Sequence, residues 1–206
     1  MKNATLKLLA LFFLFSSFDE NSLLNHPMPL LPNKTLDGRT IDENYYKGHI
    51  TIVSCMFIGC YPCMMEIGIL NKIKAEYANN EQLQILCVAR QMSKQMQQFN
   101  ADDTTLFSRI RKALKVDPIT YTIQPACDDA ESKMVKSGAD SSQHIEIKSE
   151  CNTITEKYGF TAFPTIFYVD KKGIVRKIET GGPGIPNDAN FHDKVKAEID
   201  QLLEEQ

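Results

Sequence analysis

The sequence predicts an α/β domain in which a central mixed β-sheet carries helices on both faces. An apolar, β-branched stretch at 50–57 is typical of a buried strand, and the stretch 64–77 has apolar residues at helical spacing. A second buried strand at 83–89 completes a βαβ unit, which pairs its strands in parallel. Two later apolar stretches, 165–170 and 174–178, flank a glycine turn and predict an antiparallel hairpin. Parallel and antiparallel pairs together make the sheet mixed.

Size and charge restrict the class of protein. The chain has 206 residues, a net charge of −3 and 43% hydrophobic residues, which suits one domain with a sizeable core. Acidic and basic residues are mixed along the chain without a basic excess. We therefore expect no nucleic-acid partner, and we expect the protein to act as a monomer.

The N-terminus has the pattern of an export signal, which we assign to residues 1–17. Lys2 and Lys7 precede the eight apolar residues Leu8 to Phe15, and small polar residues follow them. Eight residues are too few to span a bilayer, which takes about 20. We expect export to the periplasm or to the outer face of the cell membrane. The alternative is an apolar segment with no targeting role.

The remaining elements follow from local patterns. Residues 18–34, rich in proline and leucine, are predicted as a linker, and an Asp-Gly pair within 36–41 predicts a hairpin. The polar stretch 128–150 is predicted as a surface insertion. Apolar spacing also predicts helices around 94–100, 104–114, 153–158 and 191–203, and a short strand at 119–124.

Cys60-Tyr61-Pro62-Cys63 lies between the first buried strand and the helix that follows it. This position puts the first sulfur at a helix N-terminus, where unpaired N–H groups and the helix dipole stabilise an anion. Such a site lowers a thiol pKa from about 8.5 toward neutrality, and the thiolate is the reactive form. The second cysteine, one turn later, can close a disulfide with the first. The motif therefore indicates redox chemistry.

The chain has four further cysteines and four histidines. Cys55 and Cys87 lie on predicted buried strands, which favours inert core packing. Cys127 and Cys151 bracket the insertion and are a possible structural disulfide, although spacing alone cannot show that they meet. A structural zinc site is the alternative for the CxxC, but the chain has no second CxxC or CxxH and its four histidines are scattered. We therefore expect no metal and no other cofactor.

Taken in order along residues 35–205, several motifs resemble those of exported TlpA/ResA-like thiol-disulfide oxidoreductases of the thioredoxin-fold family. They are Leu36–Thr40, Lys47-Gly48, the CxxC, Glu66 three residues beyond it, Tyr158–Thr165, and Asp170 and Gly173 of the hairpin. The resemblance implies a thioredoxin-like domain over 35–206, with an N-terminal hairpin extension and the polar insertion.

The resemblance also implies roles for individual residues. Cys60, expected to be exposed, attacks a disulfide, and Cys63 resolves the mixed disulfide. Glu66 holds the proton of Cys63; its alternative is a solvated helix charge. Pro164 is expected to follow a cis peptide bond, with the Phe163 backbone pairing with the substrate and the Phe163 ring shaping the approach to Cys60. The residues expected to bind substrate are Tyr61, Pro62, Phe163 and Pro164.

Two departures from the family pattern leave substrate choice open. Gly59 stands where the family has an aromatic residue before the first cysteine. Gly68 replaces a proline that commonly bends the helix; glycine permits a bend without imposing one.

Three functions follow as hypotheses. The leading one is an exported reductase of protein disulfides, which takes electrons from a membrane protein of the DsbD or CcdA kind. No cationic residue lies between the cysteines to stabilise the thiolate strongly, as an oxidant requires. A thiol peroxidase would need threonine at Phe57. A Sco-like copper metallochaperone would need CxxxC spacing and a late histidine, for which His144 is the candidate.

Overall fold

The computed structural model describes residues 23–127, 134–135, 146–147 and 153–205, and these form a mixed sheet between helices. The helices are α1 (Glu43–Tyr46), α2 (Tyr61–Glu76), α3 (Ser93–Asn100), α4 (Leu106–Ala113), α5 (Thr153–Tyr158) and α6 (Ala189–Glu204). The strands are β1 (Ile50–Met56), β2 (Leu83–Met92), β3 (Thr122–Cys127), β4 (Met134–Val135), β5 (Glu146–Ile147), β6 (Thr165–Val169) and β7 (Val175–Thr180).

Five strands pair in the order β3-β2-β1-β6-β7. The β1–β2 and β2–β3 pairs are parallel, whereas β1–β6 and β6–β7 are antiparallel. Strand β1 is central, and its Val53 lies opposite Leu86 on one side and Phe167 on the other. The predicted βαβ unit, the predicted hairpin of β6 and β7 and the mixed sheet are confirmed. Strands β4 and β5 form a separate antiparallel pair.

Side chains of β1 alternate between two cores, which explains why every position of this strand is buried. Ile50, Ile52 and Met56 join the core that α2 and α6 cover, and Val53 and Cys55 join the core on the opposite face. The second core includes residues of α5, of α1 and of the chain before residue 34. Helices therefore cover both faces of the sheet, as predicted.

Some boundaries differ from the sequence prediction. Strand β3 begins at Thr122 because Asn71 and Asn100 bind the preceding backbone: the Asn71 amide donates to Pro118 O, and Ile119 N–H donates to the Asn100 amide. The predicted hairpin at 36–41 is a tight turn with a single bridge between Lys34 and Thr40. Helix α1 was not predicted; Asp42 caps it by accepting two backbone N–H groups.

Residues 18–34 were predicted as a linker, but the described part of this stretch packs on the domain. Pro27 forms a bridge with Ile174, and Asn25 N–H donates to Val175 O at 2.8 Å. Met28 and Leu31 are buried in the second core. Backbone pairing and two apolar anchors thus extend the packed domain toward the N-terminus.

Two predictions fall outside the described residues. These are the signal segment 1–17 and most of the insertion 128–150. Cys151 also lies outside the described residues, so its pairing with Cys127 stays a prediction. Within the described residues, no helix is long and apolar enough to cross a membrane.

Candidate active site

The CxxC follows directly from the carboxyl end of the central strand β1. After Met56 the chain turns, and Cys60 N–H donates to Phe57 O at 3.2 Å to close this turn. Gly59 has a φ of +111°, a conformation that side-chain-bearing residues rarely adopt. The backbone conformation therefore explains why glycine occupies this position.

Cys60 is the N-cap residue of α2 and forms a disulfide with Cys63, with their Cα atoms 5.2 Å apart. Its sulfur also accepts the backbone N–H of Cys63 at 3.2 Å. Helix N-termini leave four N–H groups without partners, and the sulfur satisfies one of them. The predicted placement of the first sulfur at a helix N-terminus is confirmed. The same N–H group can stabilise a Cys60 thiolate in the reduced protein.

The prediction that Cys60 is exposed is wrong for this disulfide-bonded state, in which only 6% of the residue is accessible. The reason is that its sulfur is bonded toward Cys63, which belongs to the core beneath α2. Tyr61, between the cysteines, is 53% exposed instead. The surface beside the disulfide is therefore aromatic.

The segment around Pro164 lies against the CxxC, as the resemblance implied. The Phe163–Pro164 peptide bond is cis. Gly182 packs on both prolines: a Cβ there would lie 2.7 Å from Pro164 Cγ and 3.2 Å from Pro62 Cβ. Gly181 N–H donates to Pro164 O at 2.9 Å, and this hydrogen bond holds the neighbouring Gly182 close to the two prolines. A larger residue than glycine at position 182 would push the two proline rings apart.

The Phe163 ring takes part in an aromatic cluster that sequence reasoning missed. It packs edge-on against Phe57 and Phe160, with ring centroids 5.2 and 5.1 Å apart. Phe57 begins the turn that leads to the cysteines, so these contacts tie the Pro164 segment to the CxxC. The Phe163 side chain is half-buried in this packing.

Glu66 is buried, with only 1% of its surface accessible, and is not a solvated helix charge. It lies on α2 one turn after Cys63, and the Ser54 hydroxyl of β1 donates to its Oε1. Its Oε2 has no hydrogen-bond partner among the described residues. Burial raises the pKa of Glu66 to about 8, although the Ser54 hydrogen bond opposes this shift. Both protonation states are therefore accessible near neutral pH. Ser54 was missed, although a polar residue within an apolar strand was a usable signal.

The thiols of Cys55 and Cys87 lie where the sequence predicted, in the core. Cys55 and Cys87 are buried and carry no disulfide, and they belong to the cores on opposite faces of the sheet. Burial raises the pKa of both thiols well above its usual value. Such thiols stay protonated and are poor nucleophiles.

No protein-family model matches the sequence, and no curated protein matches it. Solved structures do match. A putative thiol:disulfide interchange protein DsbE from Chlorobium tepidum aligns with a TM-score of 0.53 and 16% identity, over 86% of this chain and 95% of that one.

Two further structures agree on the fold. The thioredoxin domain of a thiol-disulfide oxidoreductase from Bacteroides vulgatus has a TM-score of 0.53 and 16% identity, over 85% of this chain and 97% of that one. A thiol-disulfide isomerase from Corynebacterium glutamicum has a TM-score of 0.52 and 13% identity, over 88% and 98%. The chain therefore has the thioredoxin-like fold, with its CxxC at the N-terminus of the helix that follows the central strand.

Proposed function

We propose that this protein is an exported thiol-disulfide oxidoreductase that reduces disulfides of other proteins. The observation that carries the proposal is the Cys60–Cys63 disulfide at the N-terminus of α2, against the cis-proline segment. The thiol:disulfide interchange proteins among the structural neighbours support the same chemistry. The role of each residue below is part of the proposal.

The reaction begins with reduced protein. The Cys60 thiolate attacks one sulfur of a substrate disulfide, forms a mixed disulfide and releases the first substrate thiolate, which takes up a proton. The Cys63 thiolate then attacks the Cys60 sulfur and releases the second substrate thiolate. The substrate gains two electrons, and the protein is left with the Cys60–Cys63 disulfide. A dithiol protein of the membrane, of the DsbD or CcdA kind, restores the two thiols.

Glu66 accepts the proton that Cys63 loses before its attack. Support comes from its position three residues after Cys63, where helical side chains share a face. Its Oε2 has no hydrogen-bond partner among the described residues, and its pKa of about 8 lies close to the usual pKa of a thiol, so a proton can pass between the two groups in either direction. Tyr61, Pro62, Phe163 and Pro164 form the surface that receives the substrate chain.

Export and a monomeric state complete the proposal. The apolar run Leu8–Phe15 behind two lysines supports export to the periplasm or to the outer face of the membrane. The alternative functions lack a supporting observation. The peroxidase position is held by Phe57, whose ring packs on Phe163, and the copper-ligand candidate His144 lies outside the described residues.

Trapping tests the proposed function directly. Cys63→Ala removes the resolving thiol, so the substrate should stay attached to Cys60 as a mixed disulfide. We expect adducts of higher mass on non-reducing gels of cells that express the variant, and their loss on reduction with dithiothreitol. Mass spectrometry of the adducts then identifies the substrate proteins.

The matched control is the double variant Cys60→Ala/Cys63→Ala, which keeps the other four cysteines of the chain. It should form none of these adducts, because the proposal assigns the attack to Cys60, and burial keeps the Cys55 and Cys87 thiols protonated. Equal adducts in both variants would assign the attack to another cysteine. Absence of any cysteine-linked protein from the Cys63→Ala variant would remove the reductase assignment.

A further inference from the structure

An open groove of about 450 Å³ lies beside the first half of α2, and Tyr61 of the CxxC is one of its lining residues. Its floor is formed by Met64 and Met65, which are buried, and by Gly68. The chain after α4, residues 114–117, forms one wall, and Pro186 and Asn187 form the other. The groove begins at Tyr61, so it is continuous with the surface beside the reacting sulfurs.

Apolar side chains and polar groups both contribute to the surface of the groove. Met64, Met65 and Val116 are buried, Leu114 is half-buried, and the Tyr61 ring is exposed at one end. Methionine side chains are flexible and adapt to apolar groups of different shape. Lys115 and Asp117 are both exposed at the rim and carry opposite charges, which favours no particular charge in a ligand.

One wall of the groove is held rigidly by a buried arginine. The Arg111 guanidinium donates to the carbonyl oxygens of Phe99, Ala101 and Val116, at 2.7 to 3.0 Å. The Asn71 side chain ties α2 to the residue that follows this wall by donating to Pro118 O at 2.9 Å. A preformed groove loses little conformational entropy on binding, which favours its use as a binding site.

Helix geometry gives the distance between the groove and the reacting sulfur. Met64 and Gly68 follow Cys60 by four and eight residues, which is about 6 and 12 Å along the helix axis. An extended polypeptide advances about 3.3 Å per residue. A chain attached to Cys60 and running along α2 therefore brings a residue two to four positions from its cysteine over the groove.

We propose that this groove binds a bulky apolar side chain of the substrate protein, two to four residues from the cysteine that reacts with Cys60. The proposal rests on the proposed function and adds the substrate class: extended segments in which an apolar residue accompanies the reactive disulfide. The absence of a side chain at Gly68 keeps the groove open. A Cβ there would meet no described atom within 4 Å apart from its neighbours in the helix.

The variant Gly68→Leu fills the groove and tests the proposal. Glycine is a poor helix former, so the substitution favours α2 instead of disrupting it. We compare the rates of reduction of two disulfide peptides that carry leucine or serine three residues from the cysteine. The wild-type protein should reduce the leucine peptide about tenfold faster, the range expected for filling an apolar pocket. In Gly68→Leu the ratio of the two rates should fall to about one.

Ala75→Leu is the matched control, because it adds the same apolar side chain at an exposed position farther along α2. It should retain the tenfold preference. Equal rates for the two peptides with wild-type protein, or an unchanged preference in Gly68→Leu, would overturn the proposal. A change in mass by sedimentation between wild type and Gly68→Leu would assign the groove to a second copy of this chain and would also overturn it.

A second measurement separates failure of the groove from failure of the proposed function. Hydroxyethyl disulfide is too small to reach the groove, so absence of its reduction by wild type would count against the proposed reductase alone. The groove is then tested by titration with the leucine peptide in which serine replaces cysteine. NMR signals of the Met64 and Met65 methyl groups should shift in wild type and stay unchanged in Gly68→Leu. Unchanged signals in wild type would rule out binding at this groove.

Discussion

Replacing Cys60 with serine should lower the rate of protein disulfide reduction by about a thousandfold or more, as expected when an attacking nucleophile is lost. A serine hydroxyl cannot form the mixed disulfide, and Cys63 alone is buried within the core beneath α2. The measurement is insulin reduction, followed by turbidity, with a chemical dithiol as the electron donor. The loss should affect kcat, because no covalent intermediate forms.

The comparison for this prediction is Cys87→Ala, which removes a buried thiol that has no role in the proposed reaction. We expect it to retain wild-type kcat, even if core packing is slightly weakened. Circular dichroism of Cys60→Ser should match wild type, because the cap can still be formed by the serine hydroxyl. Activity that survives in Cys60→Ser would move the attacking role to another residue.

The stability of the oxidised protein should fall as pH rises between about 5 and 8, and Glu66→Gln should remove most of this dependence. The Glu66 carboxyl has an ordinary pKa of 4.5 when unfolded, and burial raises it to about 8 in the folded state. The folded state therefore holds more protons in this window, so each added pH unit lowers the free energy of unfolding by about 1.4 kcal/mol. Below pH 4.5 both states are protonated and the stabilisation is complete.

Urea denaturation at pH 5, 6, 7 and 8 measures this effect in the disulfide-bonded protein, where Cys60 and Cys63 do not titrate. At pH 8 we expect Glu66→Gln to be the more stable protein, by up to about 4 kcal/mol. Glu81→Gln, which changes an exposed carboxyl, should follow the wild-type curve. Ser54→Ala should leave the start of the decline near pH 4.5 and extend its end to higher pH, because the Ser54 hydrogen bond lowers the Glu66 pKa in the folded state. Parallel plots of unfolding free energy against pH for wild type and Glu66→Gln would contradict the prediction. They would mean that Glu66 ionises in the folded protein at little cost in free energy.

Local patterns predicted much of the sheet and the position of the redox pair. Strands β1 and β6 and helices α2 and α6 combine strong apolar periodicity with nearby turn residues, so they begin and end close to their predicted bounds. The CxxC was informative because it directly follows a buried strand and precedes a helix. The strands, the helices and the position of the CxxC can each be recognised from residue spacing within one segment. No contact with a distant part of the chain is needed to infer them.

Features that depend on contacts between distant segments could not be predicted from the sequence in this way. The burial of Glu66 depends on β1 lying beneath α2, which brings Ser54 to its carboxyl group. The Phe57–Phe163 contact joins residues more than a hundred positions apart. The stretch before residue 34 resembles a linker in composition, and only its pairing with β7 reveals that it is packed. In each case tertiary packing overrides the local pattern.

The pairing of residues 25–28 with the start of β7 also determines at which end of the domain the N-terminal chain leaves it. Met28 N–H donates to Gly173 O, and the turn that contains Gly173 lies beside the amino end of β1. The cysteines lie beyond the other end of β1, a strand of seven residues, or about 20 Å away. Any membrane attachment through the chain before residue 23 would therefore reach the domain at the end opposite its disulfide. A partner in the same membrane would then have to extend past the attachment end of the domain to reach the reactive pair.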